Sequence, residues 1–298
     1  MRWKSDLLLL FVAAIWGSGF VAQRLATTQI STLYFNAGRF LLAGVFVFIL
    51  ARILRRVSED TAPIQIDREL FPWMILAGGL LFAAAFLQQA GLVTTTVGNA
   101  SFITGLYVVL IPLILFVFAR QQISTYAWLA VGLAAVGGML LSLQGRFQLA
   151  PGDALELIGA VLWALHVILV GRLAGRGVNV LQFSVIQFVT CGLLNLVLAL
   201  VLEPQGLPSL VTAWPVILYS ALIPIGLGFT LQIAGQRHAP AVDAAIILSM
   251  EAVFGTVFGY LFLGELLSPR QLLGCALILA AMILAQLRPG SALEMKTV

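Results

Sequence analysis

Leu87-Gln88-Gln89-Ala90-Gly91, near the end of one apolar run, returns as Leu231-Gln232-Ile233-Ala234-Gly235 near the end of another. Around these motifs, 78–124 and 222–268 align at a constant offset of 144 residues, through to Ser124 and Ser268. Earlier in each half, Trp16 matches Trp163. Phe35, Arg39, Phe40 and Gly44 stand opposite Phe183, Gln187, Phe188 and Gly192. The chain is written twice, which divides it into halves 1–150 and 151–298. Membrane proteins built from two related halves typically carry their site where the repeats meet.

The composition fixes the solvent. The chain is 61% hydrophobic and 9% charged, against about 25% charged in a soluble domain. Its 298 residues suit one membrane domain and leave no room for a sizeable soluble one. The net charge of +4 comes from basic residues scattered singly through short loops, which is no footprint for nucleic acid. Cys191 and Cys275 both lie inside apolar runs, so neither a disulfide nor a redox compartment is read from them. Met1 to Val12 has the look of a signal peptide. The apolar run continues to Val21, however, and equivalent sequence recurs at 155–174, so it reads as a retained span.

A span needs about 20 mostly apolar residues. Ten are expected, near 6–25, 33–53, 70–90, 96–118, 125–143, 153–172, 180–202, 213–234, 241–263 and 269–287. The fold class is therefore an all-α membrane protein of ten transmembrane helices. Positively charged loops stay in the cytoplasm. With both termini inside, Arg2, Lys4, Arg52, Arg55, Arg56, Arg68, Arg120, Arg172, Arg176, Arg237, Arg288 and Lys296 are cytoplasmic, and only Arg24, Arg146 and Arg270 fall outside. Five spans per half is an odd number, so the second half enters from the opposite side. The two five-helix repeats are inverted, the architecture of alternating access. No G-x-x-x-x-G-K-[ST] motif or other ATP site is present, so transport would be secondary or facilitated. Gly17-Ser18-Gly19-Phe20-Val21-Ala22 mimics a dinucleotide fingerprint but lies inside a span with no strand before it, and no cofactor is expected.

Ala13-Ala14-Ile15-Trp16-Gly17, Gly38-Arg39-Phe40-Leu41-Leu42, Leu248-Ser249-Met250-Glu251-Ala252-Val253-Phe254 and Phe262-Leu263-Gly264-Glu265-Leu266-Leu267-Ser268 lie in the first, second and ninth spans. With the ten-span, two-half plan, they resemble the EamA-type branch of the drug/metabolite transporter superfamily over nearly the whole chain. The resemblance implies export of small metabolites, amino acids or drugs across the bacterial inner membrane. The pattern departs from the family at Glu251-Ala252, where the family has Glu-Pro. It departs again at Arg120-Gln121-Gln122, opposite Gly264-Glu265-Leu266 of the second half.

Ionisable groups inside spans are costly and usually functional. Arg39 falls about 9 Å below the outer surface and Glu251 about 15 Å from the inner one, at 1.5 Å per residue. Either they form a structural ion bridge, or each faces a cavity with a substrate or proton role. Glu251 stands at the repeat position of Tyr107 and not of another charge, so the repeat gives it no built-in partner. His166, one turn after Trp163, is either a hydrogen-bonded packing residue or a titratable group on a cavity wall. No second histidine or cysteine stands at metal spacing. Trp16 and Trp163 are repeat-related and at mid-depth. With Phe20, Phe86, Phe102 and Tyr107 they are candidates to line a cavity. Trp3, Trp73, Trp128 and Trp214 fit the interfacial aromatic belt. Gln88 and Gln232 either bond between helices or gate the two mouths. Asn99 and Asp243, also repeat-related, are placed to cap helix N-termini. Pro112 and Pro224 fall mid-span and are expected to kink their helices. Paired glycines at 17/19, 78/79, 91/98, 137/138 and 255/259 offer close helix approach.

The expected function is export of a small amphipathic metabolite, an aromatic or neutral amino acid, by alternating access. Its partners are that small molecule and the lipid bilayer. Coupling to protons, and the oligomeric state, are left open. A multidrug exporter of the same fold is the near alternative. A membrane enzyme would need clustered catalytic groups, which two histidines without an adjacent acid pair do not supply. A lipid flippase or a facilitator without alternating access is the remaining rival, and an open pore would need a continuous polar lining that is not seen.

Overall fold

The structure, a computed structural model, describes residues 2–57, 68–95, 97–142, 151–263 and 268–286. Arg146, Arg288, Lys296, the Gly264–Leu267 part of the ninth-span motif, and the surroundings of Gly98, Asn99 and Gly259 lie outside what it describes. The first half holds α1 (Arg2–Ala26), α2 (Thr32–Val57), α3 (Phe71–Thr94), α4 (Val97–Gly105), α5 (Tyr107–Val117) and α6 (Thr125–Ser142). The second holds α7 (Pro151–Gly175), α8 (Val180–Leu202), α9 (Ser209–Thr212), α10 (Trp214–Ser220), a π-helical turn (Ala221–Phe229), α11 (Thr230–Gly235), α12 (Ala241–Leu248), α13 (Met250–Leu263) and α14 (Pro269–Gln286). Eight helical stretches are long and apolar enough to cross a membrane. Two shorter apolar helices, Thr125–Leu141 and Pro269–Ala285, stand where the fifth and tenth spans were expected. No strand occurs among the described residues.

Helix starts follow local chemistry. Proline opens α7 and α14 and lies in the first turn of α3, where its missing N–H costs no hydrogen bond. Asn179 caps α8 by accepting from the Gln182 amide at 3.0 Å. Gly177, at φ 76°, turns the chain between α7 and α8, in a conformation that favours glycine.

The principal packing partners follow a two-fold pattern. In chain order of spans, the second packs on the seventh (α2 on α8) and the fifth on the tenth (α6 on α14). The third packs on the sixth (α3 on α7), and the eighth on the first (the π turn and α11 on α1). Each pairing maps onto itself or another when the halves are exchanged. Direction is visible at glycine contacts: Gly137 abuts Ile278 and Leu141 abuts Gly274, so α6 and α14 run antiparallel. That is the inverted relation expected from an odd number of spans per half.

Small residues let these backbones meet. A Cβ on Gly17 would lie 2.7 Å from the Gly255 nitrogen, and one on Gly78 would lie 2.6 Å from Cβ of Thr190. The glycine pairs are not equivalent, however. Gly79 has open space where Gly78 has a neighbour, because adjacent helix positions face 100° apart. Pro224 lies inside the π turn, so the expected kink takes the form of a locally widened helix. Cys191 and Cys275 are free. Trp3, Trp73 and Trp214 are exposed as belt residues should be, whereas Trp128 packs edge-on against Phe116.

Candidate functional site

A cavity of about 70 Å³ lies between the halves. One water needs roughly 10–15 Å³ by this kind of measure, so the space suits a few waters or a small solute. A drug-sized molecule does not fit this conformation. The walls come from α1 (Trp16, Gly19, Phe20, Gln23), α2 (Arg39, Phe40), α3 (Ala85, Gln88), α4 and α5 (Thr104, Tyr107), α7 (Trp163, Val167), the π turn (Pro224, Ile225, Phe229) and α13 (Glu251).

Seven of the eleven candidate residues line it: Trp16, Phe20, Arg39, Gln88, Tyr107, Trp163 and Glu251. His166 stands behind the wall. It is fully buried, edge-on to Trp163 and Phe229, with its Nε2 3.1 Å from Gln187 Oε1. Phe102 turns to the far side of α4, toward Gly138. Gln232 is buried away from the cavity and donates to Gln236 Oε1 at 3.1 Å. Phe86 packs instead on the cluster around Tyr34 and Phe35.

The aromatic wall has a centre the sequence reading passed over. Phe229 stacks on Trp163 at 5.9 Å between centroids and tilts against Trp16 at 4.8 Å. The two repeat-related tryptophans are joined through it. The missed signal was the repeat itself: Phe229 stands 144 residues after Ala85, which also lines the cavity. A large ring in one half occupies the space that an alanine leaves in the other. The Trp16 indole donates to the Pro224 carbonyl at 3.0 Å. The Trp163 indole N–H is buried without a partner. An unpaired buried donor costs about 1–3 kcal/mol, which a bound solute with an acceptor would recover.

The charged pair is separate. Arg2 pairs with Asp6 and Asp243, and no ion pair joins Arg39 to Glu251 among the described residues. Arg39 is 4% exposed. Its Nε donates to Asn36 Oδ1 at 3.0 Å, and its guanidinium lies over the Phe35 and Phe40 rings at 4.6 and 5.2 Å. Those contacts hold the group in place at the cavity wall without a carboxylate partner. Glu251 Oε1 accepts from the Tyr107 hydroxyl at 3.2 Å. This corrects the expectation that the repeat gives Glu251 no built-in partner. Its counterpart 144 residues earlier is the partner, because the pseudo-two-fold brings equivalent residues face to face near the axis. The helices break just before these residues, at Leu106 and Ser249.

The two ends of the bundle differ. At the end where α1 begins, Arg2 holds Asp243 at 2.8 Å, and Gln236 ties α11 to the Val167 carbonyl at 3.1 Å. At the other end, Gln89 donates to the Gln23 carbonyl at 3.1 Å and Arg24 to the Leu92 carbonyl at 2.8 Å. Gln23 and Gln88 line the cavity and Gln232 does not, so the cavity is displaced toward the end where α1 finishes.

A bundle of apolar helices enclosing a cavity with few polar anchors is the architecture of a membrane transporter. The chain belongs to the EamA-like transporter family, whose model matches residues 3–143 and again 150–287. It is similar to an uncharacterized transporter of Archaeoglobus fulgidus, 30% identical over 96% of this chain and 87% of that protein. It is 26% identical to the uncharacterized transporter YwfM of Bacillus subtilis, over 95% of this chain and 94% of that one. The threonine/homoserine exporter RhtA of Escherichia coli is 28% identical over 57% of each chain. A solved crystal structure superposes with a TM-score of 0.78 over 96% of this chain and 98% of that one, at 20% identity, a likeness of fold. The protein is thus a multi-pass membrane transporter with a small-molecule substrate, and not an enzyme.

Proposed function

We propose that the protein exports a small zwitterionic amino acid by alternating access. The observation that carries this is the placement of Arg39 and Glu251 on one cavity without an ion pair between them. A guanidinium matches an α-carboxylate, and a carboxylate matches an α-ammonium. The indole N–H of Trp163 and the amide of Gln88 add polar anchors, and the Trp16–Phe229–Trp163 wall receives the side chain. The name of RhtA supports a small neutral amino acid, and so does the cavity's size. The test is reconstitution into vesicles with a panel of labelled amino acids. L-threonine and L-homoserine should move faster than through protein-free vesicles. A panel with no substrate above that background would overturn the reading, and preference for aromatic amino acids would enlarge the occupied pocket.

The two halves, 1–150 and 151–298, would rock about the cavity. In the opposite state Gln232 would take the place at the wall that Gln88 holds here. The contacts of Arg2 with Asp243 and of Gln236 with Val167 would then open. The excess of basic residues in one set of loops supports both termini lying in the cytoplasm, and the family resemblance supports a bacterial inner membrane. A cysteine introduced as Gln205→Cys should then react with an impermeant reagent added outside intact cells. Labelling only after the membrane is opened would reverse the topology.

Trp163→Ala removes one face of the aromatic wall. Since Phe229 stacks on it, the effect should be larger for bulky solutes than for threonine, with near-normal expression. Equal transport of both by the folded variant would remove Trp163 from the binding wall.

A further inference from the structure

Glu156 is a carboxylate with 0% exposure on α7, and it does not line the cavity. It is connected to the cavity all the same. The Gln88 amide donates to Thr104 Oγ1 at 3.2 Å, and the Thr104 hydroxyl donates to Glu156 Oε2 at 2.9 Å. Gln88 and Thr104 are both wall residues. The other oxygen, Oε1, is buried with no hydrogen-bond partner and packs on Gly91, where a Cβ would come within 2.8 Å of it.

The repeat supplies a control for what this position needs. Glu156 and Leu9 each stand seven residues before their half's tryptophan, Trp163 and Trp16. Gly91 and Gly235 are equivalent by the offset of 144. A Cβ on Gly235 would meet Leu9 at 2.8 Å, as one on Gly91 would meet Glu156. The helix contact is therefore the same in both halves. Thr104 is likewise replaced, by Leu248, and Leu9 and Leu248 lie in one apolar cluster. Two leucines satisfy the packing at one end of the bundle. A carboxylate and a hydroxyl take their places at the other, so packing does not explain them. An ionised carboxylate enclosed without a cation carries a large desolvation cost, and a bound proton removes it.

We propose that Glu156 is a proton-binding site of the transporter, loaded from the cavity through the Thr104 hydroxyl, so that one proton binds in one orientation of the bundle and leaves in the other. In the loading step a hydronium ion in the cavity gives its proton to Thr104 Oγ1 and is left as water. The hydroxyl's own O–H bond breaks toward Glu156 Oε2, leaving a neutral carboxylic acid and a restored hydroxyl. No oxidant or further reactant is involved. Among the described residues, the charged groups near this site are few. Asp153, one turn earlier on α7, bonds with Thr95, and Arg24 from α1 is engaged by the Leu92 carbonyl. The faces of α3 and α4 against Glu156 present Gly91, Gln88 and Thr104, which carry no charge.

The proposal rests on the transport reading for its role and not for its detection. Infrared spectra of the purified protein in lipid, stepped from acid to alkaline pH, should contain a titrating carboxylic-acid C=O band that Glu156→Gln removes and Glu251→Gln leaves. Thr104→Val should keep that band but move it, because the hydrogen bond to Oε2 is gone. The double variant Glu156→Leu with Thr104→Leu copies the packing of the other half. It should fold, which separates loss of the band from loss of structure. In vesicles, a pH gradient should drive accumulation of labelled L-threonine by the wild type and not by Glu156→Gln. A titrating band unchanged in Glu156→Gln would overturn the proposal. So would a band that moves with sodium at fixed pH, or accumulation that still follows the gradient in that variant. If threonine does not move at all while the band behaves as expected, the amino-acid reading fails and the proton site stands.

Discussion

Arg39→Gln and Glu251→Gln will each lower transport of L-threonine by roughly tenfold to a hundredfold while leaving a folded protein. Each variant removes a charge-assisted hydrogen bond to the solute, worth about 1.5–3 kcal/mol, and every 1.4 kcal/mol is about tenfold. The fold should survive because neither group balances the other. Arg39 is held by Asn36 and two aromatic rings, and Glu251 by Tyr107. The glutamine of Glu251→Gln keeps a carbonyl oxygen to accept from the Tyr107 hydroxyl. The decisive measurement is thermal stability and uptake for both single variants and the double. A buried ion bridge would make each single change cost about 3–5 kcal/mol, and the double would recover much of it. The separated arrangement predicts small stability losses that add, and no recovery of transport. Full recovery of stability and uptake in the double variant would remove both residues from substrate handling.

Gly17→Ala should be more damaging than its single methyl group implies. The added Cβ would stand 2.7 Å from the Gly255 nitrogen, 2.8 Å from the Glu251 carbonyl and 2.9 Å from Phe254 Cβ. These are backbone atoms or atoms next to the backbone, so no side-chain rotation relieves the contact. α1 and α13 must separate, at about 1–3 kcal/mol for overpacking. That movement carries Glu251 away from Tyr107, so uptake should fall together with thermal stability. Gly79→Ala is the control, since open space lies beyond Gly79. If Gly17→Ala matches Gly79→Ala in both measurements, the tight approach of α1 and α13 does not set the position of Glu251.

Several features were legible because they are properties of composition and period. Apolar runs of membrane length, the inverted repeat and the mid-depth placement of Arg39, Trp16, Trp163 and Glu251 all follow from counting residues along helices. Rotation about each helix axis is a different quantity, and it decided the rest. Gln88 and Gln232 are equivalent in the chain, but only Gln88 lines the cavity, while Gln232 turns to Gln236. His166 is one turn from Trp163, yet it stands behind the aromatic wall. Glu156 lies only a few residues past the start of α7 and drew no attention in the sequence. The approach of α3 at Gly91 encloses it.

The sequence by itself determined the membrane class, the two-fold writing of the chain and the family, since hydropathy and spacing act locally and survive any rearrangement of the bundle. Only the tertiary structure decided that Glu251 meets its own repeat counterpart Tyr107, that Phe229 joins the two tryptophans, and that Arg39 stays free of a carboxylate. Those outcomes depend on which helix faces meet across the pseudo-two-fold axis. Side-chain shape at close contacts fixes that choice, and its partners are 66 to 213 residues apart in the chain.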